Sequence, residues 1–505
     1  MSERQRLGVQ DALWLEMDKP GNLMVVDSLF WTAEPIDWDV YRDATKKRLW
    51  DRFPVFRSVV VRGEEGGWWW DEQPDADFED RYEHVVLPEP GGDAELQELI
   101  ASQRTVPLDR SEPLWRAVLV DGFHGGSAVL FRAHHAIADG IRMVQLSLSV
   151  FDTSPDGAAA PRRTPRQPTR AATSSVPGGS PPAQRGASLT SQVRSQATNV
   201  ASTSLQLARS AVTNPVGAAH SALTISETLV GSVGSRARSA LGARGRRGFP
   251  SVLSGVPGDV DTVRKLVLGT RNDNTLWTGS VGEHKAIAWS PSIPLDDVKA
   301  TARATGATVN DVLVTCVAES LRAYLALHQA ACHSVTWDVP VNLKPFDPAL
   351  PVVLGNSFAL VQLELPTHID DPVRTLEVVR GRMDRIKRGH EALVDFGVQA
   401  VISRMSKRLY RASVDLLANR AIGVLTNVPG PQVPLYVAGQ KVEGMMGWAP
   451  LAADQVMSFT IYSYDGKVFV GIAADAGLVP DHEQIVDGFA DAFRRLRLLT
   501  ATSAS

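Results

Sequence analysis

The stretch LWRAVLVDGFHGGSAVLFRAHHAIADG, residues 114–140, decides most of what can be read from this chain. Two β-prone runs, Leu114 to Val120 and Ser127 to Ala133, flank Asp121-Gly122-Phe123-His124-Gly125-Gly126, which has the composition of a hairpin connection. The second strand leads directly into His134-His135-Ala136-Ile137-Ala138-Asp139-Gly140. Strand ends that feed loops are where rigid scaffolds present reactive groups. Imidazole titrates near neutrality, so a positioned histidine can remove a hydroxyl proton and return it to a leaving group. Asp139 is the natural orienting group, and Gly140 offers a sharp backbone turn after the site. The same residues also have a plain reading, a histidine pair ending a strand and an Asp-Gly turn. Residue chemistry alone leaves both open.

Composition changes abruptly after Phe151. From Ala158 to Gly248 the chain has 12 arginines, no lysine and one acidic residue, Glu227. That segment carries a net charge of +11, so the formal −4 of the whole chain leaves −15 for the rest. Pro161 to Arg185 has the proline and serine content of a linker. Between Ser188 and Leu241 apolar residues recur at intervals a loose helix could use. Arginines on such a helix suit an anionic lipid surface, and a solvated linker is the bland alternative.

The organisation expected is therefore an N-terminal domain over 1–155, a linker over 156–250 and a C-terminal domain over 251–500. With 505 residues, 44% hydrophobic and 21% charged, the chain is ordinary globular material. Cys316 and Cys332 fall in or beside one helical stretch and read as reduced packing residues. No signal-like N-terminus and no apolar run long enough to span a bilayer is found, so the expected location is cytoplasmic, not secreted, with any membrane contact peripheral.

In the second half Thr308 and Asp311 form a helix start, and Val309, Val312, Leu313, Cys316, Val317, Leu321, Tyr324 and Leu325 follow helical spacing. Strand-like runs follow at Val335 to Val341, Phe358 to Leu365, Ser458 to Tyr464 and Lys467 to Ala474, the last two flanking Asp465-Gly466, a strong hairpin signal. A closing helix begins near Pro480. Strands and helices mix without a strict βαβ repeat, which argues for α+β layering. There is no G-x-G-x-x-G, P-loop or metal-ligand spacing, and neither a nicotinamide cofactor, a metal nor nucleic acid is expected.

With these residues assembled, the chain resembles the bacterial wax ester synthase/acyl-CoA:diacylglycerol acyltransferase family, within the coenzyme A-dependent acyltransferase superfamily. Pro113-Leu114-Trp115 is similar to its Pro-Leu-Trp element and His134 to Gly140 to its H-H-x-x-x-D-G motif. Asn310-Asp311, Gly355-Asn356, Asn427-Val428-Pro429-Gly430-Pro431 and Ser463-Tyr464-Asp465-Gly466 match further elements in order. Each of these accessory elements also reads as a core residue, cap or turn. Two departures stand out: Asn22-Leu23-Met24-Val25-Val26 where many relatives carry Met-His, and the long basic linker. Neither is expected to touch the catalytic histidine.

The resemblance implies two chloramphenicol-acetyltransferase-like α/β domains around a substrate tunnel. It implies transfer of a long-chain acyl group from acyl-CoA, a co-substrate with no permanently bound cofactor, to diacylglycerol or a fatty alcohol. His135 is then the general base and Asn310 a candidate oxyanion donor. Asp139 would orient the loop through an arginine salt bridge with Gly140 at its turn, and His134 is left between an orienting neighbour and a packed histidine. Two rivals stay open: a transferase using a carrier-bound or unusual donor or alcohol, and a weakly catalytic protein coating lipid droplets through the basic segment.

Overall fold

The hairpin over residues 114–140 is present, with longer strands and a tighter turn than its composition suggested. Strand β6 (Trp115–Phe123) pairs antiparallel with β7 (Gly126–His134). Only His124 and Gly125 lie between them, both left-handed at φ 50° and 85°, the conformation of a two-residue turn that matches strand twist. The register shifts between Asp121 and Phe123, where Gly122 takes φ 88°. What reads as a six-residue loop is therefore mostly strand, because a bulge absorbs one glycine.

This computed structural model describes residues 4–63, 67–157, 275–342, 358–388 and 418–502, with 350, 354 and 356. The basic segment 158–248 and its proposed helix lie outside them, as does Gly355. The described residues of both halves belong to one compact unit.

Strands β1 (Arg4–Arg6), β3 (Ser58–Arg62) and β4 (Trp68–Glu72) make a small sheet. The first large sheet runs β13 (Tyr436–Val437), β14 (Gln440–Trp448), β2 (Val25–Thr32), β7, β6 and β5 (Tyr82–Val86). The two adjacent strands at one edge, β13 and β14, thus come from the far end of the chain. The second runs β11 (Phe358–Pro366), β10 (Ser334–Asn342), β12 (Gly423–Pro429), β15 (Met457–Tyr464), β16 (Lys467–Asp475) and β8 (Lys285–Trp289), with β9 (Ile293–Pro294) on β16. The pairings β5–β6, β10–β12 and β12–β15 are parallel among antiparallel neighbours. Mixed sheets layered with helices are the α+β architecture expected.

The helices are α1 (Val9–Met17), α2 (Trp38–Thr45), α3 (Asp93–Arg104), α4 (Gly140–Val150), α5 (Leu295–Thr305), α6 (Val309–Leu327), α7 (Pro372–Arg388) and α8 (Glu483–Thr502). The start of α6 is the capping box read from the sequence: Thr308 Oγ1 accepts the Asp311 N–H at 3.1 Å and Asp311 Oδ2 accepts the Thr308 N–H at 2.9 Å. The β15–β16 turn places Asp465 and Gly466 at φ 44° and 74°.

Two apolar cores result. One lies on the first sheet around Trp115, Leu119, Leu130 and Phe131, and Met445, Met446 and Trp448 of β14 extend it. The other packs α5, α6 and α8 on the second sheet and contains Cys316 and Cys332, both buried.

Candidate active site

Strand β7 ends at His134, and the loop 135–139 is held from several directions. His134 is buried, and both its ring nitrogens are engaged: Nδ1 accepts the Ala136 N–H at 3.0 Å, while Nε2 lies 3.2 Å from Asp18 Oδ2. With Nδ1 accepting, Nε2 carries the hydrogen and donates it. Burial alone would raise the Asp18 carboxyl. The interaction with His134, the Met24 N–H and Arg110 outweigh it and hold the group below the usual carboxylate range. His134 is therefore an anchor of the loop.

The His135 backbone is pinned on both sides. Its N–H donates to the Met24 carbonyl at 2.8 Å, and its own carbonyl accepts from Asn356 Nδ2 at 2.8 Å. The imidazole stacks on Trp14, with ring centroids 4.2 Å apart and planes 30° from parallel. Burial pushes this imidazole down to about 4, and the neighbouring His134 acts in the same direction. A contact with its own backbone and Asn356 only partly oppose them. At neutral pH the ring is uncharged and able to accept a proton.

Helix α1 acts as a clamp on this loop. Asp11, Trp14 and Asp18 follow i, i+3, i+7 spacing along it, Asp18 as its C-cap, and reach Asn356, His135 and His134 respectively. Asp11 Oδ1 accepts both the backbone and side-chain N–H groups of Asn356, at 2.9 and 2.8 Å. The chain before β2 joins in, because Met24 supplies the carbonyl under His135 and Asn22 Nδ2 donates to the carbonyls of Ala453 and Gln455. The stretch from Asn22 to Val26, expected not to touch His135, does so directly. Its last two residues open β2, the strand paired with β7, with Val25 lying opposite His134.

Asp139 is the N-cap of α4, and its Oδ1 accepts the Arg142 backbone N–H at 3.0 Å. Gly140 corrects the sequence reading. It is the first residue of that helix, not a left-handed turn, and a Cβ there would meet no heavy atom within 4 Å. The sharp turn is made by the aspartate cap, whose extended backbone (φ −73°, ψ 169°) precedes the helix. Asn310 sits in the first turn of α6, with Oδ1 accepting from Asn427 Nδ2 at 2.6 Å. Among the described residues no hydrogen bond joins Asn310 to the histidine loop. Trp115 is fully packed, its indole N–H spent on the Phe56 carbonyl at 2.7 Å.

A family model for the wax ester synthase/diacylglycerol acyltransferase catalytic domain matches residues 7–313, and one for the C-terminal domain of the same family matches 354–497. The chain belongs to this acyltransferase family. The acyltransferase is 25% identical over 434 residues to a probable diacylglycerol O-acyltransferase of Mycobacterium tuberculosis, covering 85% of this chain and 81% of the relative. It is 23% identical over 505 residues to the O-acyltransferase WSD of Acinetobacter baylyi, covering 94% and 93%. Its fold is shared with the wax ester synthase/diacylglycerol acyltransferase of Marinobacter aquaeolei VT8 (TM-score 0.63, 19% identity, 98% of this chain and 100% of that one). A condensation domain of the calcium-dependent antibiotic synthetase shares it too (TM-score 0.55, 15% identity, 100% and 98%).

Sequence reasoning missed Asp11, Trp14 and Asp18 in this acyltransferase and placed Asn356 among turn residues. An aspartate, an aromatic and an aspartate on one face of a short N-terminal helix was the available signal. Nothing local in it points to a histidine more than a hundred residues away. Among the described residues no cluster of His, Cys, Asp and Glu could hold a metal ion, and no helix is long and apolar enough to cross a membrane.

Proposed function

We propose that this acyltransferase moves a long-chain acyl group from acyl-CoA to the hydroxyl of diacylglycerol, and to a fatty alcohol in a second activity, with His135 as the general base. The observation that carries the reading is the buried, uncharged imidazole of His135, clamped by Trp14, Met24 and Asn356 at the end of a rigid strand. The names of the relatives from Mycobacterium tuberculosis and Marinobacter aquaeolei support the two acceptors.

His135 takes the hydroxyl proton as the alcohol oxygen attacks the thioester carbonyl. The carbon–sulfur bond then breaks, and the proton passes to the departing coenzyme A thiolate. General-base assistance of this kind is worth ~10²–10⁴-fold. No covalent acyl-enzyme is required. Asn310 is the proposed oxyanion donor: with its Oδ1 accepting from Asn427, the amide is turned so that its Nδ2 hydrogens remain for another acceptor, at the positive end of α6. Asp139 shapes the loop as a helix cap, with Gly140 behind it, and His134 anchors it.

The reading extends to a cytoplasmic enzyme that meets its lipids at the inner membrane or a droplet surface, supported by the 12 arginines between Ala158 and Gly248. Purified protein given radiolabelled palmitoyl-CoA with diacylglycerol or hexadecanol should form triacylglycerol or wax ester, and His135→Ala should lower the rate at least ~10²-fold. Equal rates in both proteins would remove His135 from the mechanism. Vesicle binding that survives deletion of residues 158–248 would remove the surface role of that segment.

A further inference from the structure

A second concentration of buried charge lies two residues further back along the strands that carry the histidine loop. Arg132 of β7 stands opposite Asp27 of β2 and donates from Nε to Asp27 Oδ1 at 3.1 Å. Arg104, the last residue of α3, donates from Nη1 to the other oxygen of the same carboxylate. Across the boundary with the second sheet, Lys285 of β8 donates to Asp475 Oδ2 at 3.3 Å and to the Gly282 carbonyl at 3.1 Å. The most exposed of the five charged groups, Arg104, shows only 8% of its side chain to solvent.

These groups do not balance. Three cations face two carboxylates, and Asp475 already accepts the backbone N–H groups of Gly282, Gly477 and Leu478 at 2.7, 3.1 and 3.1 Å. A buried uncompensated charge is costly, so the arrangement favours an anion. Arg104 also has the means to hold one. Among the described residues its guanidinium is engaged only at Nη1, which leaves the Nε–Nη2 edge, the planar fork that grips phosphate or carboxylate with two parallel hydrogen bonds. Burial holds the Lys285 ammonium below its ordinary range despite Asp475, and Arg104 and Lys19 push it the same way, as expected of cations crowded together.

Arg104 and Lys285 line a cleft with Asn22, Val25, Asp27 and Leu451. The room in it is about 10 Å³, that of a single water-sized group, enough for one oxygen of an anion and too small for an acyl chain. Diacylglycerol and fatty alcohols are uncharged, whereas coenzyme A carries phosphates. We propose that this cleft is an oxyanion subsite in which Arg104 and Lys285 hold a phosphate of the acyl donor. The proposal rests on the acyl-CoA reading above.

Arg104→Gln and Lys285→Met test it, since Asp27 keeps Arg132 and Asp475 keeps its three backbone donors when either cation is removed. Circular dichroism and thermal melting establish that the variants fold. The kcat/KM preference for palmitoyl-CoA over S-palmitoyl-pantetheine, which lacks phosphate, should fall at least ~10-fold in each variant, as the loss of a charge-assisted hydrogen bond predicts. A preference equal to the wild type's, with both donors impaired alike, would show a structural ion network only and overturn the proposal. Inorganic phosphate supplies the second arm. It should raise the melting temperature of wild type and not of Arg104→Gln, and equal protection of both would also overturn the subsite. If wild type turns over neither thioester, the donor reading fails. The phosphate arm then decides alone: protection lost in the variant keeps an anion subsite, and no protection of wild type ends it.

Discussion

Replacing Trp14 with alanine isolates what the clamp does to the base. The indole covers one face of the His135 ring at 4.2 Å, and burial is the main cause that holds this imidazole at about 4 instead of 6.5. Removing the ring admits water to that face, so the value should climb back toward 6.5. Full recovery would correspond to about 3 kcal/mol, an upper limit because the other walls of the loop remain. The titratable groups around His135 are His134 beside it, Asp11 and Asp18 on α1, and Asp139 at the start of α4. Asp18 is bonded to His134 and Asp11 to Asn356. A protonated imidazole cannot accept the hydroxyl proton, so kcat/KM falls on the acid side of this value. In Trp14→Ala the acid limb of the pH–rate profile should move upward by ~1 pH unit or more, with Trp14→Phe in between. Stability gives the same sign. In wild type the unfolded chain takes up the proton below 6.5 and the folded one only near 4, so stability is present above 6.5 and lost as pH falls toward 4. The variant should lose less over that window. Superimposable acid limbs in wild type and Trp14→Ala, measured from pH 4.5 to 9, would refute a desolvating role for the indole.

Asn356→Ala removes the tie between the His135 carbonyl and Asp11 and should lower kcat by ~10²-fold with KM little changed, read by steady-state kinetics under saturating acceptor. Asp139→Ala deletes the cap of α4 and should cost about 1 kcal/mol in a denaturant titration, whereas Asp139→Ser should recover most of it. Asn310→Ala should lower kcat by ~10²-fold if its amide donates to the oxyanion. A change confined to melting temperature would instead assign Asn310 to holding Asn427.

Features specified by neighbouring residues were legible before any fold was known. The two β-prone runs of the hairpin from Leu114 to Ala133, the Thr308–Asp311 box and the Asp465-Gly466 turn each close within a few residues, and all three are present. Gly122 was the local exception, since a bulge and a loop share the same glycine chemistry and only pairing register tells them apart. The site was legible only in part. The histidine motif named the proposed base and the ordered motifs named the family, but neither showed what holds His135.

That support comes from contacts across long separations: His134 to Asp18 over 116 residues, Asn356 to the His135 carbonyl over 221. Periodicity and turn chemistry carry no information about such pairs, because they depend on which strands become neighbours. The sequence alone therefore determined the chemistry available, a neutral-range base on a strand end. Only the tertiary structure decided its environment, because the burial that shifts an imidazole exists only once α1, β2, β7 and Asn356 are brought together.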